Sequence, residues 1–180
     1  MDLGSGLGDF SRILSSRFDQ VIGIDFSPTM INNAIQKSKG YQNIEFTNND
    51  FMDMELETKK IDCIVSIACF HHLPMIDSLK KMKSILKDNG KILILDLYKE
   101  KSFLYYINLF FALIINRFYL RKNKNVIIKK KLNEVWKEHD KFDNLKSINK
   151  IYKTCKKVFK KVKIKRLLFL EVFFNLKKIM

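Results

Sequence analysis

Three carboxylates in the first fifty residues could do chemistry together: Asp2, Asp25 and Asp50. The first opens Asp2-Leu3-Gly4-Ser5-Gly6-Leu7-Gly8, an acid followed by glycines on alternate positions. Such glycines let the backbone turn sharply, take positive φ and approach a ligand closely. Phe10, Ile13 and Leu14 follow at helical spacing, so the glycines belong to a strand-to-helix turn. Open α/β sheets bind ligands at turns of this kind.

The second acid ends Val21-Ile22-Gly23-Ile24-Asp25, 21 positions after Gly4. A carboxylate at the end of a second strand, about 20 residues past a glycine turn, is placed to accept hydrogen bonds from both hydroxyls of a ribose. This spacing alone does not separate a nicotinamide dinucleotide from S-adenosylmethionine. The third acid follows the alternating run Ile44-Glu45-Phe46-Thr47, through Asn48-Asn49 to Asp50-Phe51. A carboxylate there is an acceptor at the end of a third strand. Asp53 is the reserve acid of that stretch.

A dinucleotide fingerprint needs G-x-G-x-x-G, and here Asp9 stands where its third glycine belongs. The acid-led alternation instead resembles motif I of the class I S-adenosylmethionine-dependent methyltransferases (the type 11/25-like domains). Residues 62–73, an apolar run ending in Cys69-Phe70-His71-His72-Leu73, resemble motif IV of the same family. The resemblance implies S-adenosylmethionine as the cofactor. It implies that Asp2, Gly4, Ser5 and Gly6 meet the methionine portion, Asp25 the ribose, and Asp50 and Phe51 the adenine, with Phe26 and Ile67 completing the set. The implied reaction moves a methyl group to a small-molecule acceptor, with nucleic acid a less favoured substrate class and no metal required. No residue is compelled to be a catalytic base. His71 and His72 have two readings, capping the end of a strand or touching substrate, and their adjacency is not metal-ligand spacing.

These residues need elements to hold them. Periodicity predicts a helix over 9–17, a helix after Ser27-Pro28 with Met30, Ile31, Ala34 and Ile35 on its apolar face, a buried strand over 61–68, and a helix over 75–86. Asp88-Asn89-Gly90 is expected to stop that last helix, with Gly90 as the terminator, before a strand over 91–97. Strand and helix alternate without a hairpin signal, which implies parallel strands joined by right-handed crossovers. A helix stripe over 145–159 precedes two apolar segments, 162–165 and 167–176, with no room for a helix between them, so they are expected to pair antiparallel. The fold class is therefore α/β, Rossmann-like, mostly parallel, with helices on both faces and an antiparallel terminal strand. Residues 1–98 form the donor-binding half, 99–144 a lid or substrate-side insertion, and 145–180 the closing helix and strand pair.

At 180 residues the chain is one domain by size. Its first strand has only residues 1–3, against about five or six in an ordinary strand, so an N-terminally truncated form is expected. A non-catalytic remnant of the family is the alternative to an active enzyme. The three cysteines, Cys63, Cys69 and Cys155, make no C-x-x-C pair and suit reduced thiols in a cytoplasmic setting. The oily stretch 103–115 is shorter than the roughly 17 to 25 residues that span a bilayer, and 103–120 reads as a helix with two placements, an ordinary helix packed on the sheet or, as the resemblance implies, one folded over the substrate mouth. Between 121 and 144 only Trp136, His139 and Asp140 offer chemistry. The net charge of +15 arises entirely after residue 120, where 20 Lys/Arg face 5 Asp/Glu. Solvated helix faces account for such lysines, and an RNA- or membrane-surface adaptor is the alternative that they raise.

Overall fold

The computed structural model describes residues 1–99, 145–166 and 171–178. The expected helix over 103–120 and the trio Trp136, His139 and Asp140 lie outside these residues.

Seven strands form one sheet in the order β3-β2-β1-β4-β5-β7-β6. They are β1 (Asp2–Leu3), β2 (Val21–Asp25), β3 (Ile44–Asn48), β4 (Ile61–Ile67), β5 (Leu86–Leu97), β6 (Lys161–Arg166) and β7 (Glu171–Lys177). The first five pair in parallel, while β7 runs antiparallel to both β5 and β6. The strand order reverses at β1, which pairs β2 on one side and β4 on the other. That reversal leaves a crevice at the carboxyl ends of these strands. Short as β1 is, Leu3 pairs with Ile24 and Ser66, and Met1 extends the ladder: its nitrogen donates to Cys63 O at 2.9 Å and its carbonyl accepts from Val65 N at 2.9 Å.

Adjacent strand residues point to opposite faces. Asp2 faces helix α1 (Asp9–Ser15), whose Ser11 it meets, and α1 reaches α2 (Pro28–Lys37) through Arg12 Nη1 donating to Ser38 Oγ at 3.0 Å. Leu3 faces the other way, into a core shared with Leu79, Met82 and Ile85 of α3 (Met75–Ile85) and Ile151, Cys155 and Val158 of α4 (Ile148–Val158). Fully burying each such side chain contributes roughly 1.5 to 3 kcal/mol, so this face is what holds the crevice open and fixed.

One boundary departs from the sequence expectation. Helix α3 stops at Ile85, and Leu86 already pairs with Ile61 as strand. Gly90 does not terminate the helix by a left-handed turn; Asn89 takes that conformation, at φ 66. Gly90 lies where any Cβ would run into the Leu86 side chain, so its requirement is close packing inside the irregular start of β5. Helix α1 is likewise shorter than expected, ending at Ser15.

Candidate functional site

The glycine turn is stitched to β2. Gly4 N and Ser5 N both donate to Ile24 O, at 2.8 and 2.9 Å. Gly4 and Gly8 hold φ of 75 and 73, and Gly8 caps α1 in that left-handed conformation without a side-chain bond. At Gly4 a side chain would also strike Cys69. Gly6 N donates to Asp25 Oδ2 at 2.9 Å and Ser27 N donates to Asp25 Oδ1 at 2.9 Å. Both oxygens of Asp25 are thereby fixed in direction, and each keeps a lone pair for a further donor. Asn48 clamps the same strand end from β3, its Nδ2 donating to Asp25 O at 3.0 Å and Phe26 O at 2.8 Å.

Asp50 shapes its own turn, accepting from Met52 N at 2.7 Å through Oδ1. Phe51 beside it is buried, with the Lys81 ammonium 5.3 Å from its ring centre. Beyond β4, Ala68 turns the chain at φ 50, and a 3₁₀ turn over Phe70–His72 follows.

These pieces enclose a cleft of about 450 Å³ lined by Gly4, Asp25, Phe26, Asp50, Phe51, Cys69 and His72 among others. Two of the three singled-out acids thus share one cavity. Asp2 does not line it. It is buried beneath the glycine turn, where Ser11 Oγ donates to its Oδ2 at 2.6 Å, and burial holds its carboxyl above the ordinary carboxylate range. Ser5 is also buried outside the lining, and its Oγ has no partner among the described residues. Gly6 meets nothing at its missing side chain, and Ile67 sits in β4 beside Leu95, off the cleft wall. Phe26 stands at the rim, 77% exposed.

Sequence reasoning missed Ala68 and Cys69 as wall residues; their signal was position, directly after the β4 run. Burial, reinforced by Asp25, Asp96 and Asp2, pushes the Cys69 thiol up to about 12, so it is a neutral packing group and not a nucleophile at neutral pH. His71 faces away from the cleft into a buried contact with Asp96, whereas His72 lines the cleft.

A family model described as a methyltransferase domain matches residues 1–90, half of the chain and the part that builds this cleft. The chain belongs to the methyltransferase-domain family. Its class is that of the class I S-adenosylmethionine-dependent enzymes, and the residues present fit that donor: a carboxylate with both oxygens oriented at the end of β2, a second acid with an aromatic neighbour on the same cleft, and a glycine turn whose Gly4 leaves no room for a side chain beside Cys69. The chain is 29% identical over 93 residues to an uncharacterized methyltransferase-like protein of Schizosaccharomyces pombe, covering 51% of this chain and 35% of that one. It is 28% identical over 100 residues to a demethylmenaquinone methyltransferase of Staphylococcus carnosus, covering 53% and 42%. A solved S-adenosylmethionine-dependent methyltransferase of Aquifex aeolicus superposes with a TM-score of 0.61 at 18% identity, over 98% of this chain and 78% of that one. The chain spans well under half the length of the curated relatives it matches. Among the described residues, no helix is long and apolar enough to cross a membrane, and no cluster of side chains is arranged to hold a metal.

Proposed function

We propose that this methyltransferase binds S-adenosylmethionine in the cleft between β1, β2 and β4 and directs its methyl group to a small-molecule acceptor. The observation that carries the reading is Asp25, whose two oxygens are each held by one backbone N–H and face the cavity with capacity to spare. They would accept the two ribose hydroxyls. Asp50 and Phe51 would take the adenine, with Phe26 covering it from the rim. Gly4 and Gly6 would admit the amino-acid end, with Ser5 beside them and Asp2 fixing the turn from below.

Bound S-adenosylmethionine supplies a methyl on a positively charged sulfur, already activated toward displacement. The chain therefore has mainly to align an acceptor and keep water out. Cys69 stays protonated and contributes bulk. His72 is the imidazole on the cleft wall and would stand beside a bound acceptor. The demethylmenaquinone enzyme among its relatives supports a small acceptor.

Calorimetry with S-adenosylmethionine and with its demethylated product tests the reading. Wild-type chain binds both, and Asp25→Ala weakens binding by at least about tenfold, since hydrogen bonds to a charged group contribute about 1.5 to 3 kcal/mol each. No binding by folded protein, or equal affinity in the variant, rejects it.

A further inference from the structure

The far side of the sheet carries a charge pattern that methyl transfer does not use. Strand register sets Lys91 of β5 beside Lys177 of β7, and Lys177 beside Lys161 of β6. Their neighbours in sequence, Ile92, Leu176 and Val162, face the core, so the three lysines share the opposite face. Along β6, Lys163 and Lys165 continue on that face at steps of about 6.7 Å. Like charges directly opposite one another destabilise a sheet. None of these five lysines is in an ion pair with a described residue.

The charge wraps the edge of the sheet. On the other side of β6, helix α4 exposes Lys150, Lys153, Lys156 and Lys157, together with Tyr152, which is 42% exposed and has the Lys156 ammonium 5.8 Å from its ring centre. From 145 to 178 the chain holds 12 Lys/Arg against a single acid, Glu171. A solvated surface has no need to line up like charges across three strands, whereas an anion laid along them would reverse the repulsion.

We propose that the β6 edge docks a single-stranded nucleic acid through its phosphates, a binding activity separate from the cleft. The shape of the array decides against a membrane. Its lysines lie on both faces of the sheet, so a flat bilayer reaches only one set. Among the described residues of this region, Tyr152 is the only strongly exposed large apolar or aromatic side chain. Lys161, Lys163 and Lys165 form one line along β6, met at its start by Lys177 and Lys91, a path that suits one phosphate chain rather than the two of a duplex, and Tyr152 offers a stacking face for a base.

Fluorescence anisotropy of the full chain with a labelled oligouridylate tests this, alongside co-sedimentation with phosphatidylcholine/phosphatidylserine vesicles. Binding is expected to weaken with salt by about −0.7 in log–log slope per phosphate held, so three to five contacts give a slope of about −2 to −3.5. The triple variant K161Q/K163Q/K165Q should lose about tenfold or more in affinity and flatten that slope. Its melting temperature should hold or rise, because like charges have been removed. K60Q/K80Q, at lysines paired with Glu57 and Asp77 elsewhere on the surface, should bind as wild type does. Oligouridylate binding that is absent, insensitive to salt or unchanged in the triple variant overturns the proposal. Lysine-dependent binding to vesicles without binding to the oligonucleotide does so too. None of these readouts depends on donor binding in the cleft.

Discussion

His71 Nδ1 lies 2.5 Å from Asp96 Oδ1, and both side chains are buried, at 4% and 3% exposure. Asp96 interrupts an apolar strand, and the same oxygen accepts from Leu97 N at 2.9 Å. The pair ties the turn after β4 to β5. The next two residues of that turn, His72 and Leu73, form part of the cleft wall. A sequence motif that looked like two adjacent histidines is thus one residue anchored in the interior and one on the cleft wall, with their ring centres 4.0 Å apart.

Breaking that contact should be expensive. Hydrogen bonds to a charged group contribute about 1.5 to 3 kcal/mol, so Asp96→Asn, which keeps the shape and loses the charge, is expected to lower the unfolding free energy by up to that order in urea titrations and to weaken donor binding through the displaced turn. Asp62→Asn, whose pairing with Lys87 at 2.8 Å is solvent-exposed, should change stability by less than about 1 kcal/mol. His71→Asn combined with Asp96→Asn should be less damaging than the two losses summed.

Asp2 makes a prediction about pH. Its folded carboxyl is raised, chiefly by burial, so the folded chain holds this proton to higher pH than the unfolded chain does. Asp2 therefore makes stability fall as pH rises from the ordinary carboxylate value through the raised one, and above that window the folded state carries the full penalty of a buried charge. Asp2→Asn should melt at the same or a higher temperature than wild type near neutral pH, with an advantage that shrinks as pH falls through the window. If the turn needs the anion to bind donor, the same variant should bind S-adenosylmethionine more weakly.

Gly4 is constrained twice, by φ 75 and by Cys69. Left-handed backbone costs an alanine about 1 to 2 kcal/mol before any collision is counted. Gly4→Ala should therefore destabilise by more than about 2 kcal/mol and reduce donor affinity. Adding Cys69→Gly should restore the steric part and leave the conformational part, a difference readable by denaturant unfolding of the single and double variants.

The thiols offer a direct check on burial. Cys69 and Cys155 are both pushed up to about 12 by desolvation. At pH 8 only about one such thiol in ten thousand is ionised. Iodoacetamide at that pH should leave both intact in folded protein and alkylate both in urea, as read by peptide mass spectrometry.

Local signals made much of this molecule legible before any coordinates. The glycine turn, the second and third strands with their terminal acids, and the Ser27-capped helix are properties of neighbouring residues, since period, turn chemistry and caps act within a few positions. The antiparallel ending was legible too, because the link between its strands leaves no room for a crossover helix. The position of β7 between β5 and β6 was not: it depends on which buried face the last strand completes. Helix α3 ends one residue early because Leu86 gains a strand partner, Ile61, from a distant part of the chain.

The amino-acid sequence by itself determined the family, the order of the elements and the carboxylates at the ends of the second and third strands, because these are written in spacing along one chain. Only the tertiary structure decided that Asp25 and Asp50 share a cavity while Asp2 supports it from beneath, that His71 belongs to Asp96, and that Lys91, Lys177 and Lys161 stand side by side. Those relationships are set by strand register and by competition for a single core, and register between distant segments leaves no trace in the local pattern of either.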